Sequence, residues 1–133
     1  MRIVRSQRGS VMAEFIMTAG ITVLILLATI ELGLMFHTRL ILVSAAREGA
    51  RRAAIEGGNT EGTRRAIRDQ LSLAPLDLNL ASVSITPNTA SYGTLITVTI
   101  SYPYRFTTPA MQALAGSEVR LRSTVITRSE KVR

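Results

Sequence analysis

Two carboxylates bracket an apolar run: Glu14, five residues after Gly9, and Glu31, with no charged residue from Phe15 to Ile30 between them. An acidic side chain near the middle of a membrane helix costs roughly 2.5 to 3.5 kcal/mol on insertion scales, so each asks for a partner or for a place at an interface. The chemistry on offer is therefore charge pairing in an apolar layer. Catalysis is poorly provided for. The chain has no cysteine and a single histidine, His37, at the end of the apolar run. A thiolate nucleophile or metal site is excluded, and a Ser-His-acid arrangement would have to take its base from the membrane boundary, away from the rest of the domain. Paired acids such as Glu56 and Glu61 fall on segments that read as solvated. No enzymatic activity, metal or cofactor is expected.

The element that must carry these carboxylates is a helix. The apolar run resumes after Glu31 through Leu32, Leu34, Met35 and Phe36, and the whole approximates the ~20 residues that cross a bilayer core of ~30 Å. Arg2, Arg5 and Arg8 precede it without an acidic residue, which by the positive-inside rule sets the N-terminus in the cytoplasm and the bulk of the chain on the other side of the cytoplasmic membrane. A secretory signal peptide fits less well. Its apolar region is ~7 to 15 residues long and ends in a small-residue cleavage site, which here would be Ser44-Ala45-Ala46, beyond His37 and Arg39.

A net charge of +7 raises the question of nucleic acid, but three of the arginines lie before Gly9. The others at Arg47, Arg51, Arg52, Arg64, Arg65 and Arg68 have no interleaved aromatic on which a base would stack. Solvated helix faces account for them, and no nucleic-acid partner is expected.

Nothing between Phe36 and Ile55 is proline, and the segment is rich in good helix formers, so the helix should continue beyond the bilayer. Leu42, Ala46, Gly49, Ala50 and Ala53 form one stripe, with Arg47, Glu48, Arg51 and Arg52 opposite; Glu48 and Arg52 form an i, i+4 pair. Gly57-Gly58 supplies the left-handed cap that ends it. Along the rod Ala45, Gly49 and Ala53, four apart, permit close approach of another backbone, from a neighbouring helix or from the chain's own sheet. The second is the simpler reading.

After Asn59-Thr60, which offers an N-cap, Thr63 to Leu71 reads as a short helix closed by Pro75. The period then becomes two. Ala81, Val83 and Ile85 alternate with Ser82, Ser84 and Thr86; Ile96, Val98, Ile100 and Tyr102 alternate with Thr97, Thr99 and Ser101; and Val119, Leu121 and Val125 alternate with Arg120, Arg122 and Thr124. A helical turn from Met111 to Ala115 separates the last two strands. Three antiparallel strands with one apolar face need a cover, and the outer half of the long helix supplies it. The expected fold is α+β: residues 1–9 a cytoplasmic leader, 10–36 a transmembrane helix, 37–57 its extracytoplasmic extension, and 58–133 a small α+β domain with about three strands, paired consecutively by default.

These residues resemble a known family. Arg8-Gly9 followed by Glu14-Phe15 and an apolar helix is similar to the cleavage region of type IV prepilins, especially the Flp branch built by tight-adherence (Tad) systems. Glu31-Leu-Gly33, Ala45-Ala-Arg-Glu-Gly-Ala-Arg51 and Val98-Thr-Ile-Ser-Tyr-Pro103 look like TadE-like pseudopilins. Gly20 stands where that family commonly has proline in the apolar helix, and Arg52 where an aromatic is frequent.

The resemblance implies cleavage between Gly9 and Ser10 by a membrane prepilin peptidase that supplies its own catalytic carboxylates. A glycine there lets the peptidase reach an extended backbone. Loss of the three leader arginines takes the charge from +7 to +4. Mature Ser10 would then carry a free α-amine, and Glu14, with Phe15 beside it, would pair with that amine on a neighbouring subunit during assembly. The alternative for Glu14 is a carboxylate snorkelling to the interface. For Glu31 the alternatives are interface exposure and pairing with Arg39 or with a basic group of a partner pilin, although eight residues is a poor spacing for direct contact with Arg39 within one helix. The implied partners are the prepilin peptidase, the major Flp pilin and other minor pilins, the inner-membrane pilus platform and membrane lipid. The implied role is a minor pilin or pseudopilin in building or priming an adherence pilus. A second reading is an uncleaved single-pass membrane protein whose outer domain binds an envelope partner.

Overall fold

The structure, a computed structural model, describes residues 7–132, with side chains from residue 9 onward. Arg2 and Arg5 of the expected leader, and the side chain of Arg8, lie outside the described residues. One uninterrupted helix, α1 (Gln7–Glu56), runs the length of the molecule and takes in both Gly9 and the expected Ser10. Within its apolar part the hydroxyls are satisfied locally: Thr18 donates to the Glu14 carbonyl at 2.9 Å, Thr22 to Thr18 at 2.8 Å and Thr29 to Ile25 at 2.8 Å. This back-bonding lets a threonine sit in an apolar environment without an orphan donor. The helix ends at Gly57 and Gly58, with φ of +82° and +118°. Both amides donate to the Ala53 carbonyl at 2.9 Å, which closes the last turn in a conformation that favours glycine.

The second helix, α2 (Glu61–Leu71), is capped by the Thr60 hydroxyl, which accepts from the Thr63 amide at 3.1 Å. It turns back along α1 and buries Ile67 and Leu71. The contact explains the stripe of small residues. A Cβ built on Gly49 would lie 2.5 Å from Cγ1 of Ile67 and 3.5 Å from Cγ1 of Val98, while Ala45 and Ala53 are fully buried. The stripe faces α2 and the sheet of its own chain.

A short 3-10 turn (Leu78–Leu80) leads into β1 (Ser82–Thr86), followed by β2 (Leu95–Arg105), the short helix α3 (Pro109–Ala115) and β3 (Glu118–Arg128). The strands form one antiparallel sheet in the order β1-β2-β3. The β2–β3 ladder runs from Leu95 opposite Arg128 to Arg105 opposite Glu118. Pro103 lies beyond Ser101, where the β1 pairing ends, so this proline sits where one side of β2 carries no ladder. The expected face of β2 is the buried one, and the alternation continues past Tyr102 to Tyr104.

Length matching sets where the sheet meets the helix. From Leu95 to Arg105 a strand advances about 34 Å, and α1 advances about 35 Å from Ala54 back to Glu31. At the far end the Glu130 amide donates to the Ala54 carbonyl at 2.8 Å. At the other end β2 delivers Tyr104 to Glu31. The result is the expected α+β architecture, with the apolar N-terminal half of α1 extending beyond the packed part.

Candidate functional site: two carboxylates on the long helix

Glu31 is only 2% exposed, which goes against interface exposure, one of the two alternatives for this side chain. Its Oε1 accepts from the Tyr104 hydroxyl at 3.1 Å and from the Thr107 amide at 2.9 Å, and its Oε2 accepts from the Thr108 amide at 3.2 Å. All three partners donate, so the carboxylate spreads its acceptor capacity over both oxygens. No ion pair involves Glu31 among the described residues, and its partners are neutral donors where Arg39 had been considered.

The donors are held by packing. Tyr104 stacks edge to face on Phe106, with ring centroids 5.7 Å apart at 80°, and both rings are buried. The Phe106 amide donates to Ser117 at 3.3 Å, and the Gln112 side chain donates to the Phe106 carbonyl at 2.8 Å. The loop that presents Thr107 and Thr108 is thus closed on itself. Thr108 precedes α3 without a side-chain capping bond, and its buried hydroxyl has no partner among the described residues. Burial first, then the hydrogen bond to Glu31 and its charge, pushes the Tyr104 phenol up to about 12.

Glu14 is placed quite differently. It is exposed, as is Phe15 beside it, and among the described residues no ion pair involves it. Gly9 and Ser10 are exposed and helical, so an extended backbone at that bond requires α1 to unwind locally. Seventeen positions separate Glu14 from Glu31, about 25 Å along a helix. A hydrocarbon core of ~30 Å is thicker than that, so a helix standing upright in it immerses at least one of the two carboxylates.

Farther along α1, Glu48 pairs chiefly with Arg51, at 3.0 Å to Nε and 2.9 Å to Nη2. The expected contact with Arg52 is the longer one, at 3.8 Å. The Arg51 fork, reinforced by the nearby charge of Arg52, holds the Glu48 carboxyl below its ordinary range. Among the described residues no group of three His, Asp or Glu side chains is placed to hold a metal ion.

Tyr104, Thr107 and Thr108 are the participants that sequence reasoning missed. The signal for Tyr104 was present, since continuing the alternation of β2 by one more pair puts its ring on the helix side. The two amides carry no side-chain signature.

α1 is long and apolar enough to cross a membrane, and none of its most apolar 18 residues is buried in the chain. No curated protein and no solved structure matches the chain. A family model described as TadE-like protein does match, over residues 9–51. That match takes in both carboxylates, the apolar helix and the start of its extension, and together with the helix it suggests a membrane-anchored protein with a part in a Tad pilus system. The chain carries a TadE-like segment at residues 9–51, consistent with a TadE-like protein of the tight-adherence system.

Proposed function

We propose that the protein is a minor pilin or pseudopilin of a Tad/Flp-type pilus, anchored in the inner membrane with its N-terminus cytoplasmic and cleaved between Gly9 and Ser10 by a prepilin peptidase. The observation that carries the proposal is the contrast between the two carboxylates. Glu31 receives three donors from its own domain, whereas Glu14 stands exposed on a bare apolar helix without an ion pair among the described residues. A carboxylate in that position gains most from a cation brought by another molecule. The α-amine of a mature Ser10 on a neighbouring subunit is such a cation.

In this account Gly9 is the cleavage position, Glu14 and Phe15 are the assembly contact, and the sheet domain is what the subunit presents outside the membrane. The partners are the peptidase, the major pilin with other minor pilins, and the membrane platform. The Glu14→Ala variant is expected to insert and be processed normally but to lose incorporation into pilus fractions. Wild-type incorporation of that variant reduces Glu14 to an interface charge, whereas a wild-type chain that keeps its leader and enters no pilus fraction favours the uncleaved single-pass reading, in which the outer domain binds an envelope partner.

A further inference from the structure

The connection between β2 and β3 is uncharged throughout. From Phe106 to Ser117 no residue is charged, with Arg105 before it and Glu118 after. Its polar groups are largely spent internally: the Phe106 carbonyl accepts from Gln112, the Thr107 and Thr108 amides serve Glu31, and the Gly116 amide donates to the Gln112 carbonyl at 3.1 Å. Leu114, near the end of α3, is in contrast 84% exposed, an apolar side chain in a connection that carries no charge.

Its anchorage fixes its depth. Glu31 lies six positions before His37, where the apolar run ends, which is about 9 Å along the helix axis. Leu32, Leu34 and Phe36, all after Glu31, are exposed apolar side chains, so the lipid-facing surface of α1 continues past the point at which the domain is attached. A loop hydrogen-bonded to Glu31 therefore sits below the level at which the helix leaves the apolar layer. An upright α1 that immerses Phe36 also immerses Glu31 and the Thr107 and Thr108 amides bound to it.

We propose that the Phe106–Ser117 connection is a lipid-inserting foot, seated in the bilayer leaflet on the domain's side with Leu114 among the acyl chains. The inference rests on reading α1 as a membrane span. In that setting two of the three donors of Glu31 are supplied by the foot, which shields the carboxylate from lipid, and the charges at its rim, Arg105 and Glu118, pair with each other at 3.7 Å. Elements seated in the interface bury their apolar side about 5 to 10 Å, which agrees with the depth set by Glu31.

The absence of cysteine makes the test direct. Single-cysteine variants of the full chain at Leu114, at Leu24 in the apolar helix and at Tyr92 in the distal β1–β2 turn are labelled with an environment-sensitive fluorophore. They are then reconstituted in phosphatidylethanolamine–phosphatidylglycerol vesicles containing nitroxide-labelled lipid. All three positions are exposed, so the label displaces no packed side chain. The expected result is a blue shift and strong quenching at Leu24 and Leu114, with neither at Tyr92. Quenching at Leu24 but not at Leu114 overturns the foot while leaving the span intact; absence of quenching at Leu24 overturns the span and the foot with it.

Discussion

The hydroxyl of Tyr104 donates to Oε1 of Glu31 across 3.1 Å, joining residues 73 positions apart in the chain. This bond, with the Thr107 and Thr108 amides on the same carboxylate, ties one end of the sheet to the long helix. An acidic residue that a sequence marks as a burden in an apolar helix is in this fold a fastening point.

The fastening predicts an order among substitutions. Tyr104→Phe removes one donor and leaves the carboxylate two amides, so it should cost about 1 kcal/mol. Glu31→Ala removes the acceptor and leaves two backbone amides and a phenol without their partner, so it should cost about 2 kcal/mol or more. Hydrogen exchange at the Thr107 and Thr108 amides of the full chain in detergent reads this directly, with protection retained in the first variant and lost in the second. Equal protection in both would mean that packing of Phe106 alone holds the loop.

The alkaline behaviour follows with a definite sign. Tyr104 has its phenol raised to about 12 in the folded state, above an ordinary value of ~10. Its contribution is fully present below pH ~10 and is lost as pH rises through about 12, a change of about 2 to 3 kcal/mol by linkage. Titration of phenolate absorbance alongside domain unfolding should therefore show a late ionising tyrosine whose step coincides with loosening of the sheet from α1. Tyr104→Phe should abolish that late step; an unaltered profile in this variant would assign the behaviour elsewhere.

Gly49 offers a test of the helix–helix contact. Alanine there gains about 1 kcal/mol of helix propensity, but its Cβ would meet Cγ1 and Cδ1 of Ile67 at 2.5 and 2.6 Å. Ile67 is fully buried and has little room to give, and overpacking of this kind costs about 1 to 3 kcal/mol. Gly49→Ala should lower the thermal midpoint of the domain, whereas Gly33→Ala, with open space at its Cβ, should not. A stabilised Gly49→Ala variant would show that α2 is free to move away from α1.

Much of this arrangement was legible in the sequence because it depends on local pattern. The alternation of Ile96, Val98, Ile100 and Tyr102 identifies the buried face of β2, Gly57-Gly58 marks the end of α1, and the small residues at Ala45, Gly49 and Ala53 mark where something approaches closely. The fate of Glu31 was not legible in the same way. Two of its three donors are backbone amides, which every residue but proline carries, and their arrival depends on an eleven-residue strand matching the rise of a helix over 23 positions. Attention to charge also pointed toward Arg39, while the answer lay in neutral donors. Glu48 shows a milder version: the helical spacing rightly suggested a pair with Arg52, but the guanidinium fork of Arg51, one residue nearer, makes the shorter bonds.

The central claim, a prepilin-type subunit whose exposed Glu14 awaits the amine of a processed neighbour, is tested most directly by the mass of the N-terminus in cells with an active prepilin peptidase. The account predicts a mature chain beginning at Ser10, and retention of the leader in a Gly9→Leu variant that still inserts in the membrane. A wild-type chain still beginning at Met1 in those cells would contradict it.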